Sequence, residues 1–151
     1  MKWDLRFLDL AKRVAQWSSD PSTRCGAVIT DSLHRIISIG YNGLPRGVAD
    51  TKERYENREL KLKMIVHAER NSLLFAKQDL TGFIIFTYPF MPCSVCAGMI
   101  IQSGIKRVVS YMSDNDRWAE DFKVSEQMFQ EAGVELKLYW DAGCLREPHG
   151  N

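Results

Sequence analysis

Three residues of the types that bind zinc occur in two short motifs. His67 stands two positions before Glu69, and Cys93 and Cys96 form a Pro-Cys-x-x-Cys motif further along the chain. A catalytic zinc site has three protein ligands and one open position, whereas a structural site is usually closed by four protein ligands. The sequence therefore predicts one catalytic zinc ion (Zn2+) per chain, held by His67, Cys93 and Cys96.

Glu69 is the candidate catalytic residue of this site. It lies too close to His67 in sequence for spacing alone to make it a ligand. A carboxylate beside an open metal position can take a proton from water and later return it to a leaving group. We therefore predict that Glu69 carries the proton in a hydrolytic reaction.

A Cys-x-x-Cys pair by itself would also suit half of a structural zinc site or a redox pair. A redox pair would not need the preceding His-Ala-Glu motif, and the sequence has no second Cys-x-x-Cys to complete a four-cysteine site. A non-catalytic zinc protein or regulatory subunit that keeps the site for folding remains the alternative outside enzymes. Glu69 separates the two, because a purely structural site has no use for it.

Size and charge narrow the class of protein. The 151 residues fit one domain over positions 1–151, and the formal net charge is only +1. With no long basic run, a large surface for nucleic acid is not expected, whereas a small anionic substrate needs only a few cations. The charged start and the lack of a long apolar stretch predict neither a signal peptide nor a membrane partner, and hence a cytoplasmic location.

The other two cysteines suggest no chemistry. Cys25 lies in an apolar run and is interpreted as a small core residue, and Cys144 lies in a tail with Gly143 and Pro148. A reducing compartment would suit Cys93 and Cys96 as metal ligands. We assign no role to Cys25 or Cys144.

Hydrophobic periodicity and turn residues predict alternating helices and strands. Helices are expected at 3–18, 65–77, 93–103 and 118–132, with a partly helical, charged and exposed segment at 48–63. Strands are expected at 25–30, 35–39, 82–88, 105–111 and 134–139, with a glycine-rich loop at 40–47. The first two strands are close enough to form an antiparallel hairpin, and the later alternation implies parallel strands. The fold class is therefore α/β, with three α/β/α layers around a mixed five-stranded sheet.

The zinc motifs begin two of the predicted helices. In this fold the two helix starts should converge at the carboxyl ends of the strands.

With these motifs in place, the chain resembles the deoxycytidylate (dCMP) deaminases of the cytidine deaminase-like superfamily. The resemblance covers about residues 5–140 and includes, besides the zinc motifs, the segments 19–23, 26–29, 40–43, 100–105 and 132–134. It implies a zinc-dependent hydrolysis of dCMP to dUMP and ammonia that feeds thymidylate synthesis. It also implies a homo-oligomer, either a hexamer or a dimer-based assembly, and regulation by dCTP and dTTP in many members.

The resemblance further implies which residues meet the nucleotides. Asn42 matches an asparagine that contacts the sugar, although it would also suit a turn. The segment of Ser22, Thr23 and Arg24 matches one that reaches the phosphate, although an exposed arginine is often only solvated, and Ala68 is a further substrate-binding candidate. The candidate allosteric residues are Gly40, Tyr41, Asn42, Gly43 and Arg46.

Two departures from relatives bear on the site. Residues 44–66 contain no cysteine or histidine, so a second, structural zinc of the kind found in some relatives is not expected. Phe90 and Met91 replace a threonine- or histidine-containing version of the segment before the cysteines, which alters the pocket wall.

The enzymatic alternatives are a nucleic-acid-editing (tRNA adenosine) deaminase, disfavoured by the acidic segment 114–121, and a deaminase of free cytidine or deoxycytidine.

Overall fold

The protein is described by a computed structural model that covers residues 1–140. It contains five strands in one sheet and six helices, which precede the first strand or lie in the connections between strands. The helices are α1 (Lys2–Ala15), α2 (Lys52–Glu56), α3 (Arg58–Met64), α4 (Ala68–Ala76), α5 (Ser94–Gln102) and α6 (Ala119–Ala132). The strands are β1 (Gly26–Thr30), β2 (Ile36–Tyr41), β3 (Ile84–Tyr88), β4 (Arg107–Tyr111) and β5 (Glu135–Tyr139).

The sheet is mixed, as the sequence predicts. Its strand order is β2-β1-β3-β4-β5. Strand β1 is antiparallel to both β2 and β3, and β3, β4 and β5 are mutually parallel. The predicted hairpin and the predicted mixed sheet are therefore confirmed. Helices α5 and α6 connect the parallel strands.

Two hydrophobic clusters cover the two faces of the sheet. Because side chains alternate along a strand, Ala27 and Ile29 of β1 point to one face and Val28 to the other. Helices α4, α5 and α6 cover the first face, and α1 covers the second with Phe7, Leu8 and Ala11. The result is the predicted three-layer arrangement. Within residues 1–140, no helix combines the length and apolar character needed to cross a membrane.

The predicted loop at 40–47 begins two residues too early, because Gly40 and Tyr41 are the last residues of β2. Gly40 lies directly against the backbone of α4. A Cβ atom at this position would lie 2.5 Å from the carbonyl oxygen of Ala68 and 2.5 Å from the amide nitrogen of Ser72. The glycine is therefore explained by close packing of β2 on the helix that follows His67, rather than by a turn.

The segment 48–63 also differs from its prediction as an exposed region. Tyr55 is buried at 6% exposure, and the side chain of Lys61 is only 13% exposed. The segment forms two short helices, α2 and α3, and the second begins after Asn57, whose side chain accepts a hydrogen bond from the Leu60 amide. Its charged residues therefore include some that face the interior of the molecule.

A buried ionic network joins α1 to strands β4 and β5. Asp4, 4% exposed, accepts hydrogen bonds from Arg107 at 2.6 and 2.8 Å and from the Tyr139 hydroxyl at 2.8 Å. Burial by itself would raise the pKa of Asp4, but the bonds from Arg107 and Tyr139 outweigh it and hold that pKa below its usual value. Asp4 is therefore ionised in the folded protein at neutral pH.

We expect Arg107→Met to lower the free energy of unfolding by about 3–5 kcal/mol at pH 7, because the substitution leaves the Asp4 charge buried without its cation. Since the lowered pKa of Asp4 stabilises the native protein above the carboxyl's ordinary pKa, this difference should shrink as the pH falls below about 4, through the lowered pKa of Asp4. Urea unfolding at pH 7 and at about pH 3 measures both effects. Lys123→Met, which removes an exposed pair with Glu120, is the control and should change stability by no more than about 1 kcal/mol. An equal loss from Arg107→Met at both pH values would contradict the role assigned to Asp4.

Candidate active site

The three predicted zinc ligands lie together. The Nδ1 atom of His67 is 3.6 Å from the Sγ atom of Cys93 and 3.4 Å from that of Cys96, and all three ligand atoms lie within 4.8 Å of one another. In a tetrahedral zinc site with ordinary Zn–S and Zn–N bonds, a sulfur and a nitrogen ligand are separated by about 3.6 Å. The donor set and its spacing therefore fit a zinc ion.

Both motifs supply their ligands at helix starts. His67 is the N-cap residue of α4 and Cys93 is the N-cap residue of α5, each with extended backbone dihedrals. The predicted helix at 65–77 therefore begins three residues late, since Val66 is extended and pairs with Gly43. Cys96 follows in the first turn of α5, on the same side as Cys93. The positive ends of two helices thus face one point, which favours thiolate ligands.

A residue of α6 fixes the start of α5. Asp121 accepts hydrogen bonds from the Ser94 amide at 2.8 Å and from the Ser94 hydroxyl at 2.6 Å. The carboxylate therefore satisfies a free N–H group at the helix start that carries both cysteines. Positioning of the zinc ligands thus depends on α6 as well as on their own helix.

Of the two cysteine ligands, Cys93 is the one whose protonation state suits a cation, whereas the Cys93 side chain and burial raise the pKa of Cys96. The Cys96 side chain lowers the pKa of Cys93 to about 4; burial opposes this shift, and His67 adds to it. Cys93 is therefore a thiolate at neutral pH. Arg70 lies close enough to interact with both sulfurs, although it does not line the pocket that opens onto them.

Glu69 lies beside the ligands and is 7% exposed. Burial raises the pKa of its carboxyl, although the nearby His67 opposes the shift. A raised pKa brings a carboxyl closer to the range in which it can both accept and release a proton near neutral pH. The environment of Glu69 therefore suits the proton-carrying role predicted from its sequence position.

An open pocket reaches His67, Glu69 and Cys93. It lies at the carboxyl ends of β3 and β4 and at the amino end of β1, which is the predicted place for it. Its remaining lining residues are Asp20, Ser22, Thr23, Cys25, Asn42, Arg58, Lys61, Leu62, Ile65, Phe90, Met91, Asn115, Arg117, Trp118 and Phe122. Of the predicted substrate-binding residues, Ser22, Thr23 and Asn42 therefore lie on the pocket.

The other two substrate-binding candidates lie elsewhere. Ala68 has no exposed surface and packs in the core cluster under α4, so its side chain does not reach the pocket. Arg24 is exposed beside a neighbouring cavity, and its Nε atom donates to the carbonyl oxygen of Asp20 at 3.2 Å. Cys25, interpreted from the sequence as a core residue, packs against the core cluster under α4 and also lines the pocket. Cys144 lies outside the described residues.

The candidate allosteric residues are distributed over two elements. Gly40 and Tyr41 end β2, Asn42 and Gly43 follow them, and Gly43 pairs with Val66 just before the zinc ligand. Tyr41 packs edge-on against Trp17, and the Arg46 guanidinium lies 5.3 Å from the centre of the Phe75 ring. Of these residues, only Asn42 lines the pocket.

Asn42 holds the neighbouring loop by both ends of its amide. Its Oδ1 atom accepts from the Cys25 amide at 2.8 Å, and its Nδ2 atom donates to the Thr23 carbonyl at 2.9 Å. The amide oxygen can accept one further hydrogen bond. Asn42 is thus fixed in one orientation, and among residues 1–140 no second donor occupies its amide oxygen.

Sequence reasoning missed much of the pocket wall. Arg58 and Lys61 come from α3, and Asn115 and Arg117 from the loop after β4. Phe90, Trp118 and Phe122 add an aromatic wall, in which the ring centroids of Phe90 and Phe122 are 5.6 Å apart and those of Trp118 and Phe122 are 6.3 Å apart. For Arg58 and Lys61 the sequence signal was the density of charge in 48–63, which does not reveal which cations point inward.

Comparison with known proteins places this geometry among zinc deaminases. Residues 1–112 match the family model described as the cytidine and deoxycytidylate deaminase zinc-binding region. A protein of Aliivibrio fischeri, named an uncharacterized deaminase in the luxG 3′ region, is 48% identical over 138 residues, which cover 89% of this chain and 92% of that protein. The mouse (Mus musculus) deoxycytidylate deaminase is 34% identical over 145 residues, covering 92% of this chain and 80% of the mouse protein. The crystal structure of the cyanophage S-TIM5 dCMP deaminase in complex with dCMP and dUMP has the same fold, with a TM-score of 0.71, 24% identity, and coverage of 88% of this chain and 93% of that one.

Proposed function

Since this chain belongs to the cytidine and deoxycytidylate deaminase family, we propose that it hydrolyses dCMP to dUMP and ammonia and so supplies thymidylate synthesis. One observation carries the proposal. His67, Cys93 and the buried carboxylate of Glu69 line the same pocket, with Cys96 completing the set of zinc ligands behind it. Metal ligands, a proton carrier and room for a small molecule are thereby combined in one place.

The chain's own residues then divide the work as follows. His67, Cys93 and Cys96 hold the zinc ion, which when bound supplies the Lewis acidity that makes water a nucleophile near neutral pH. Glu69 would accept one proton of the attacking water on its carboxylate and deliver it to the N3 atom of the cytosine ring, while the water oxygen bonds to C4. It would then take the second proton of that water from the new C4 hydroxyl and give it to the amino group, so that the C4–N bond breaks, ammonia leaves and the C4 carbonyl of uracil forms. The aromatic wall of Phe90, Trp118 and Phe122 offers a surface for the flat base.

Two arginines of the pocket favour a nucleotide over a nucleoside. Within residues 1–140, the guanidinium groups of Arg58 and Arg117 make no ion pair or side-chain hydrogen bond, and both residues are exposed and line the pocket. A guanidinium can bind phosphate oxygens with two parallel hydrogen bonds. These residues replace Arg24 as our candidates for the 5′-phosphate, with Ser22 and Thr23 nearby.

Replacing Arg117 by Gln should raise the KM for dCMP by about 10- to 100-fold, because a charge-assisted hydrogen bond contributes about 1.5–3 kcal/mol. The KM for deoxycytidine, which has no phosphate, should stay unchanged. Arg58→Gln is expected to act in the same direction, and Arg13→Gln, which removes a cation from the exposed side of α1, should change neither constant. Equal losses for dCMP and deoxycytidine would contradict the phosphate role.

A substrate panel tests the proposed function. Ultraviolet absorbance follows the loss of the cytosine amino group in deoxycytidine, dCMP, CMP and dCTP, each with and without added dCTP or dTTP, and a tRNA anticodon substrate is tested in parallel. We expect the highest kcat/KM for dCMP. Preference for deoxycytidine would make the chain a nucleoside deaminase, and turnover of tRNA alone would make it an editing enzyme.

The remaining parts of the proposal concern assembly, regulation and location. We expect a homo-oligomer of hexameric or dimer-based form, with Gly40, Tyr41, Gly43 and Arg46 near the nucleotide effector site, as the resemblance implies. A cytoplasmic location suits a site that needs Cys93 and Cys96 as reduced thiolates. The small net charge supports a nucleotide as the partner rather than nucleic acid or a membrane.

A further inference from the structure

A buried ion pair joins the charged segment 48–63 to the loop before β1, which forms one wall of the pocket. The Lys61 ammonium lies 2.6 Å from Oδ2 of Asp20, and their side chains are only 13% and 1% exposed. Lys61 belongs to α3, whereas Asp20 belongs to the loop between α1 and β1. The two residues are 41 positions apart, so their contact fixes the relation between these two parts of the pocket.

Asp20 is the centre of the hydrogen bonds that shape its loop. Its Oδ1 atom accepts from the Ser22 amide at 2.9 Å, from the Ser22 hydroxyl at 3.0 Å and from the Thr23 amide at 3.3 Å. The Ser22 hydroxyl also accepts from Lys61 at 2.9 Å. Lys61 therefore contacts the loop at two points, through the carboxylate of Asp20 and the hydroxyl of Ser22.

The same loop holds Asn42. The Nδ2 atom of Asn42 donates to the Thr23 carbonyl at 2.9 Å and approaches Oδ2 of Asp20 at 3.4 Å, and the Ser18 hydroxyl donates to the Asn42 carbonyl at 2.7 Å. A displacement of the loop would therefore change the direction of the free acceptor on Asn42. Asp20 can hold all these donors because it is ionised: burial raises its pKa, but the bond from Lys61 and the bonds within the loop outweigh that and lower it.

We propose that Asp20 and Lys61 are positioning residues whose ion pair, which we call the Asp20–Lys61 latch, sets the pocket wall formed by Ser22, Thr23 and Asn42. This inference rests on the deaminase function proposed above and adds a role that lies outside the zinc chemistry. Two of the three ammonium hydrogens of Lys61 are used by Asp20 and Ser22. Lys61 thus affects substrate binding by holding the wall residues in place, whereas Arg58 and Arg117 are the proposed phosphate ligands.

Lys61→Met tests the latch, because it removes the ammonium but keeps most of the side-chain length. We expect kcat/KM for dCMP to fall by about 10- to 100-fold, as for a displaced positioning group, and kcat/KM for deoxycytidine to fall as well, because the wall includes Asn42 as well as Ser22 and Thr23. Most of the loss should appear in KM, with the zinc content unchanged. Lys61→Arg should restore most of the activity, and Lys63→Met, which removes an exposed lysine from the same helix, should behave as wild type. If Lys61→Met does not fold, Lys61→Gln serves for the same comparison.

A loss confined to dCMP would overturn the latch and make Lys61 a phosphate ligand. Wild-type kinetics in Lys61→Met would overturn it as well. In a double-mutant cycle, Asp20→Asn and Lys61→Met together should cost much less than the product of their separate effects, because either change breaks the same contact. Multiplying effects would show that the two residues act independently and would contradict the proposal.

Hydrogen exchange separates failure of the latch from failure of the proposed function. In Lys61→Met, but not in Lys63→Met, peptides that cover residues 18–25 should exchange faster, since the Ser22 and Thr23 amides are bonded to Asp20. This measurement needs no substrate. If wild type did not turn over dCMP, faster exchange would still support the structural part of the latch, whereas unchanged exchange in an active enzyme would overturn the latch alone.

Discussion

Glu69→Gln should lower kcat for dCMP by at least about 100-fold, and by as much as about 10,000-fold, while zinc stays bound. General acid–base catalysis by one positioned group is worth a factor of this size, and the amide cannot accept and return the proton. The three ligand atoms belong to other residues, so elemental analysis should find the same zinc content as in wild type. The substitution preserves the size of a buried side chain, which limits any effect on folding.

The matched control for this variant is Glu59→Gln. Glu59 is an exposed carboxylate of α3 that pairs with Lys63 at the surface, so its loss should leave kcat unchanged. The pH profile adds a second readout, because the wild-type dependence on the Glu69 carboxyl should disappear in Glu69→Gln. Full activity in that variant would show that another group carries the proton, and Glu69 would then have no catalytic role.

Cys96→Ser should remove both the metal and the activity. Cys96 is fully buried, and a serine hydroxyl stays protonated near neutral pH, so it cannot replace a thiolate ligand. We expect zinc below one ion per chain by elemental analysis and no measurable turnover of dCMP. The melting temperature should also fall, because a ligand that binds only the native protein stabilises it.

Cys25→Ser is the control for the loss of metal. Cys25 also lines the pocket region and is a free thiol, but it is not one of the three clustered ligands. Its zinc content should match that of wild type. If Cys96→Ser kept a full complement of zinc, or Cys25→Ser lost it, the assigned ligand set would be incorrect.

The parts of the fold that depend on local pattern could be predicted from the sequence. The hairpin of β1 and β2, the alternation of helices with β3, β4 and β5, and the mixed sheet all arise from hydrophobic periodicity and turn residues within short windows. The boundaries near the site could not be predicted, because tertiary contacts set them. Gly40 belongs to the end of β2 rather than to a loop, because α4 packs against its backbone. Helix α4 begins later than predicted, because Val66 pairs with Gly43.

The same distinction applies to the site. The zinc ligands lie in two short motifs at helix starts, so residue type and spacing were enough to identify them. The pocket cations come from elements far apart in sequence, and nothing local distinguishes Arg117, which lines the pocket, from Arg24, which does not. The partnership of Asp20 with Lys61 spans 41 positions and is visible only in three dimensions. Cys25 packs against the core as expected, but an apolar run does not show that its first residue also faces a cavity.

The proposal that this chain is a zinc-dependent dCMP deaminase is tested by measuring turnover of dCMP with zinc removed and then returned. We expect the zinc-loaded protein to convert dCMP to dUMP with one ammonia released per base, to lose this activity on chelation, and to regain it when zinc is added back. Failure of protein carrying one zinc per chain to convert dCMP would contradict the claim, and so would undiminished turnover by the metal-free protein.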